Sequence, residues 1–172
     1  MKIIKYLITL SILFVITSCM NNSEPLTKNY EHFNEQSVKF IESKLIFVPE
    51  NPTYIPINIT NETASLESYD SKDGKFKEVV FHYRNTEKNQ LYNLIITFEE
   101  TRKIYNEDNI ALGKESLNLN NNIKGYYEED GTAQTLWWIK NDLTYRFVYF
   151  LYQGQSKIDK QELIASANSM KN

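Results

Sequence analysis

Cysteine is almost missing from this chain. Its 172 residues hold one, Cys19, with two histidines, five glycines and four prolines. A single thiol cannot close an internal disulfide or build a thiolate metal cage, so the fold must be held by its core. Five scattered glycines leave no Gly-rich loop to cradle a phosphate. His32 and His82 are the two imidazoles and there is no Gly-x-Ser-x-Gly turn, so a nucleophile has few candidate bases to activate it. A basic surplus is missing too. Nineteen Lys and Arg stand against 22 Asp and Glu, a net charge of -3 at pH 7, which argues against nucleic acid or an anionic lipid surface as partner. Glu128-Glu129-Asp130 is the densest acidic patch, and it reads as a solvated hairpin tip without the alternating frame of a calcium loop. Glu99 and Glu100 point to opposite faces of one strand, which is not the facing carboxylate pair of a glycosidase. No cofactor and no catalytic residue is implied by these patterns.

The longest apolar stretch, from Ile3 to Ile16, carries Lys5 and is shorter than the roughly 20 residues a spanning helix needs. Lys2 and Lys5 give it a basic start, and Ile16-Thr17-Ser18-Cys19 ends it. Positive, apolar, small and then a cleavage point is the order of a secretory signal. The tetrapeptide resembles a bacterial lipobox. That resemblance implies a diacylglyceryl group on the Cys19 sulfur, removal of residues 1–18 as a signal peptide, and acyl chains such as palmitate holding the product at the extracytoplasmic face of the cell membrane. Each buried CH2 is worth about 0.8 kcal/mol, and two chains suffice for a stable anchor. The alternative is a core helix with a buried, inert Cys19. A helix that opens on two lysines and gives way to Met20-Asn21-Asn22-Ser23-Glu24-Pro25 suits that alternative badly. Loss of Lys2 and Lys5 takes the net charge from -3 to -5. Residues 19–28, polar and containing Pro25, read as a tether, and residues 29–172 as one domain.

Within that domain the spacing of Tyr30, Phe33, Ser37, Phe40, Ile41 and Leu45 predicts a helix from Tyr30 to Leu45. Pro49 and Pro52 prevent its continuation. From Tyr54 onward the period is two. Strands are expected at Ser65–Tyr69, Phe76–Arg84, Leu91–Glu99, Glu115–Leu119, Ile123–Tyr127, Thr132–Lys140 and Leu143–Tyr152, with Arg102–Gly113 as loop. In Phe76–Arg84, Val79, Phe81 and Tyr83 share one face, and Val80, His82 and Arg84 the other. Asp130-Gly131 is a hairpin signal, and Asn141-Asp142 stands between the last two strands. A closing helix is expected from Lys160 to about Met170, with Asp159 as N-cap, Glu162 completing an acidic capping box, and Ile158 and Leu163 in the staple positions. The expected class is α+β: an antiparallel meander of about six or seven strands with an N-terminal and a C-terminal helix.

Two segments carry a further resemblance. One is Phe47-Val48-Pro49-Glu50-Asn51-Pro52-Thr53-Tyr54-Ile55-Pro56. The other is Leu136-Trp137-Trp138-Ile139-Lys140-Asn141-Asp142-Leu143-Thr144-Tyr145 followed by Lys160 to Met170. Together they resemble a domain of unknown function found in lipoproteins and membrane-tethered, anti-sigma-factor-like proteins of low-GC Gram-positive bacteria. Ile57 stands where that domain commonly has a glycine. The resemblance implies a location and a fold type, and carries no catalytic residues.

The aromatics are the remaining candidates for function. Trp137 and Trp138 alternate on one strand, so one is expected in the core and the other on the open face near Tyr145 or Phe147. Trp137, Trp138, Tyr145 and Phe147 are therefore the expected ligand or partner surface. Burial of that strip under a helix or loop is the structural alternative. The leading expectation is a non-catalytic interaction or sensing module meeting a protein partner at the membrane surface. A carrier of an apolar or lipid-like ligand is the second, and an enzyme the third.

Overall fold

The computed structural model describes residues 32–45, 47–71, 74–99 and 106–171. Cys19, the signal peptide expected at 1–18 and the tether expected at 19–28 lie outside the described residues. Among those described, no helix is long and apolar enough to cross a membrane.

The chain forms β1 (His32–Gln36), α1 (Val38–Glu42), β2 (Asn51–Pro52), β3 (Asn61–Ser71), β4 (Gly74–Asn85), β5 (Gln90–Glu99), α2 (Glu107–Ala111), β6 (Glu115–Asn118), β7 (Lys124–Glu129), β8 (Ala133–Lys140), β9 (Leu143–Phe150), α3 (Lys160–Asn168) and β10 (Met170–Lys171). Eight strands make one antiparallel sheet in the order β1-β3-β4-β5-β9-β8-β7-β6. The chain meanders to β5, leaves for the far edge, and meanders back until β9 pairs with β5, Ile96 opposite Tyr145. The sheet is larger than the six or seven strands expected. β2 and β10 form a separate two-stranded pair.

Tyr30 and Glu31 lie outside the described residues, and from His32 to Leu45 the expected helix is not one continuous helix. His32–Gln36 is instead an edge strand on β3, and a helix of five residues follows from Val38. Ser37 divides them: its backbone is extended and its Oγ accepts the Phe40 N–H at 3.4 Å, as an N-cap does. Phe33, Phe40 and Ile41 fit a helical period, but the free edge of β3 offers five residues backbone partners that an isolated helix start lacks. The β1–β3 register shifts between Phe33 and Gln36. Such a bulge resets the alternation of side chains. Phe33 thereby packs on the core, while Glu35 bonds Thr63 and Arg84 on the opposite face.

The closing helix starts where expected. The Asp159 carboxylate accepts the Gln161 N–H at 2.9 Å. Glu162 does not complete a capping box; its carboxylate accepts the Tyr54 hydroxyl instead. The helix stops at Asn168 because Met170 and Lys171 pair with Pro52 and Asn51. Part of the segment expected as loop, Glu107–Ala111, is helical. Asn106 and Asn109 exchange side-chain-to-backbone bonds of 2.9 Å there, a reciprocal cap.

With few glycines, asparagine shares the left-handed positions with Gly113, Gly131 and Gly154. Asn89, Asn121, Asn122, Asn141 and Asp142 all have positive φ, a conformation Asn and Asp tolerate better than other side chains. Asn141 and Asp142 make the two-residue turn between β8 and β9, and both positive angles match the right-handed twist of the strands.

One face of the sheet carries the core. Phe81, Tyr92, Leu94, Ile96, Leu136 and Phe147 are fully buried, and Ile41 of α1 with Leu163 and Ala167 of α3 join them. The opposite face carries a smaller apolar cluster, Val80, Ile95, Ala133 and Val148 with Phe150, set among polar side chains.

Candidate functional site

Three of the four aromatics expected on a binding surface lie in the core. Trp138 is 2 % exposed, Tyr145 2 % and Phe147 0 %. Trp138 stacks on Tyr145, centroids 5.2 Å apart and planes 9° apart, and packs on Phe147 at 5.2 Å. Trp137 faces the other way and is partly exposed. The four do not form one surface. Trp138 and Tyr145 are opposite each other across the β8–β9 hairpin, as are Leu136 and Phe147, whereas Trp137 is opposite Arg146.

Trp137 is held by charged neighbours. The Arg146 guanidinium carbon lies 4.5 Å from its ring centroid and the Lys114 Nζ 5.6 Å away. Both are at cation–π range. The indole N–H donates to Glu128 Oε1 at 2.8 Å, and Glu128 Oε2 pairs with Lys114 at 3.4 Å. Lys114 therefore has its countercharge. Among the described residues Arg146 has none, and its Nε is buried without an acceptor.

On the same face, β1, β3, β4 and β5 bring a second polar group together. His82 Nδ1 lies 3.1 Å from Asn93 Oδ1, and His82 Nε2 lies 3.1 Å from Ser65 Oγ. Asn93 as acceptor assigns the proton to Nδ1, which leaves Nε2 to accept the Ser65 hydroxyl. Glu35 sits 4.0 Å from Nε2, forks onto Arg84 and accepts from Thr63 at 3.1 Å. Burial is the largest influence on His82 and pushes its pKa below 6.5, against the pull of Asn93 and Glu35. The Arg84 bond is the largest influence on Glu35 and holds its carboxyl below the usual value. At neutral pH the site thus contains a neutral imidazole beside an ion pair.

Hydroxyl, imidazole and orienting amide in this order are the elements of nucleophile activation. Acyl transfer also needs N–H donors aimed at the developing oxyanion. Here the β3–β4 and β4–β5 registers run unbroken past His82, so the neighbouring backbone N–H groups are committed to the ladders. Among the described residues no group of three or more His, Cys, Asp or Glu could hold a metal.

A cavity of about 380 Å³ opens at the β7 end, lined by Glu107, Asn122, Ile123, Lys124, Tyr126 and Ile139. Tyr126 donates to Glu107 at 2.6 Å, and Lys124 pairs with Glu107 at 2.9 Å. Burial, reinforced by Glu107, pushes the Tyr126 hydroxyl up to about 12.

Alternation along the strands placed His82 with Arg84 on the polar face. Glu35, Ser65 and Asn93 enter the cluster through cross-strand register, which alternation does not supply. Comparison with protein-family models, with curated proteins and with solved structures finds no match to the chain.

Proposed function

We propose that the protein is a lipid-anchored lipoprotein on the extracytoplasmic face of the cell membrane, and that its domain is a non-catalytic interaction or sensing module. Support for the anchor comes from Ile16-Thr17-Ser18-Cys19 behind a basic and apolar leader, and from the resemblance of the domain to those of lipoproteins and tethered regulators. One observation carries the contact surface. Trp137 is turned away from the core and held against two cations, the kind of half-buried aromatic that anchors partner recognition.

The reading has two tests. Feeding cells an alkyne-bearing fatty acid should label the wild-type chain and not Cys19→Ser; equal labelling of both refutes the anchor. A photo-crosslinking residue at 137 should capture a membrane-surface partner, whereas one at exposed Leu112 should not. Equal capture at both positions refutes the surface.

The cavity beside Tyr126 supports a second reading, a carrier of an apolar or lipid-like ligand. Its volume falls in the range of small-molecule sites, with Ile123, Tyr126 and Ile139 as apolar lining and the Lys124–Glu107 pair at hand for a polar head. Native mass spectrometry of the purified chain should show a stoichiometric added mass if this reading holds, and a bare chain mass if it does not.

A further inference from the structure

Arg84 and Arg146, both on the polar face of the sheet, differ in one respect. Arg84 has its countercharge: its guanidinium donates to Glu35 Oε2 at 2.8 Å and to Thr63 Oγ1 at 3.0 Å, and pairs with Glu35 Oε1 as well. Arg146, in the middle of β9, has no carboxylate and no hydrogen-bond acceptor among the described residues, and its Nε is buried and unpaired. Arg146 as a whole is only partly buried, but its Nε–H has given up water without gaining an acceptor, which is costly.

Its position is nevertheless fixed. The Trp137 ring centroid lies 4.5 Å from the guanidinium carbon across the β8–β9 pair, and Ile95 is opposite Arg146 on β5. Among the described residues, the nearby carboxylates of this face are committed elsewhere. Glu128 bonds the Trp137 indole and pairs with Lys114; Glu78 accepts the Thr97 hydroxyl at 3.0 Å. Two further described neighbours carry no charge: Asn93 has spent its carbonyl oxygen on His82, leaving its NH2, and Thr144 follows in the same row as Arg146.

We propose that Arg146 is the anchor of an oxyanion subsite, taking a carboxylate or phosphate group of a ligand on its guanidinium fork, with Trp137 as the platform that holds the fork in place. Guanidinium suits this role because its planar set of N–H groups matches two oxygens at once. The inference rests on the reading of this face as the contact surface and adds the chemistry it would recognise: an anionic oxygen group next to an apolar strip formed by Ile95 and Val148.

The test is isothermal titration calorimetry of the full purified chain in detergent, with sodium phosphate and sodium acetate as separate probes at constant ionic strength. One saturable site is expected for at least one of the two anions. Arg146→Gln should weaken it about tenfold or more, the range for losing a charge-assisted pair. Arg146→Lys keeps the charge without the fork, so it should spare phosphate more than acetate. Lys114→Ala should change little, because Glu128 already holds that charge. A preference for phosphate or for acetate in the wild type tells which group the site takes. The proposal is overturned if neither anion binds saturably, or if Arg146→Gln binds as the wild type does while its melting curve shows it folded. Those results would leave photo-crosslinking at position 137 untouched, so the subsite can fail without the contact surface failing.

Discussion

Gln134 ties the closing helix to the sheet, and its replacement shows how much that tie contributes. The side chain is 2 % exposed on the core face of β8. Its Nε2 donates to the Ile158 carbonyl at 2.9 Å and to the Tyr127 hydroxyl at 3.1 Å, while its Oε1 accepts the Ile158 N–H at 2.9 Å. The amide thus treats Ile158 as a neighbouring strand would, one residue before the Asp159 cap. Gln134→Leu keeps the volume and removes every partner. Each hydrogen bond contributes about 1 kcal/mol net, and a stranded backbone group costs about 1–3 kcal/mol when dry. Ile158 is only partly buried, so water recovers part of that cost, and the expected loss is about 2–4 kcal/mol. That corresponds to roughly 6–15 °C in Tm for a domain of this size. Urea denaturation followed by far-UV circular dichroism measures it, with an unchanged slope confirming that the same surface is exposed. Gln134→Glu keeps the acceptor for the Ile158 N–H and sets a carboxylate against the Ile158 carbonyl, so it should not restore stability. A loss under about 1 kcal/mol for Gln134→Leu would refute the reasoning, since it would mean that water serves the Ile158 backbone as well as the amide does.

Three further outcomes rest on single sites in and beside the sheet. Because the folded state holds the His82 pKa below 6.5, the unfolded chain binds that proton first; stability is complete above about pH 6.5 and falls as pH drops through that value toward the lowered native pKa. Urea melts across this window should show a shallower slope in His82→Gln, and identical slopes would exclude His82 as the source; the Glu35 contribution is lost separately, below its ordinary value of 4.5. A Cβ on Gly125 would meet Leu117 Cδ1 at 2.7 Å, Leu136 Cδ1 at 3.2 Å and Leu119 Cγ at 3.3 Å. Leu136 is fully buried, so Gly125→Val should cost about 1–3 kcal/mol by overpacking and Gly125→Ala less, with a stabilising Val in thermal melts as the contrary result. Glu50, 6 % exposed, pairs with Lys140 at 2.6 Å. Glu50→Ala strands that ammonium, but the Lys140 side chain is 28 % exposed, so the loss should be about 1–3 kcal/mol rather than the full penalty of a buried pair; additivity of Glu50→Ala and Lys140→Ala in a double-mutant cycle would show the pair to be uncoupled.

What sequence reasoning reached here, and what it missed, both come from the geometry of strands. Alternation locates a strand and divides its side chains between two faces, because successive Cβ atoms point to opposite sides. That suffices for Val79, Phe81 and Tyr83 on the core face and for His82 and Arg84 on the other. It does not say which strand lies alongside, so β9 beside β5 and the eighth strand were out of reach. The segment from His32 to Glu42 defeated it for a different reason. Phe33, Phe40 and Ile41 satisfy a helical period whether or not a helix forms, and the free edge of β3 decided the matter.

The fate of the four aromatics was within reach of the sequence. A two-residue hairpin loop sets the register of both strands. With Asn141 and Asp142 as the loop, Lys140 opposes Leu143, and counting back in step sets Trp138 against Tyr145 and Trp137 against Arg146. Directly opposed residues share a face. Trp138, Tyr145 and Leu136 with Phe147 therefore had to go to one side together, and Trp137 to the other with Arg146. Reading the turn before the aromatics would have split the expected surface at once and singled out Trp137. The His82 cluster allows no such shortcut. The loop from Thr86 to Asn89 between β4 and β5 is longer, and Glu35 reaches Arg84 only through a one-residue bulge in β1. Without that bulge Glu35 would share the face of Phe33, and Arg84 would lose the carboxylate that distinguishes it from Arg146. The contrast between an arginine paired with a carboxylate and one without thus depends on a single extra residue in an edge strand, a feature that hydrophobic patterning does not encode.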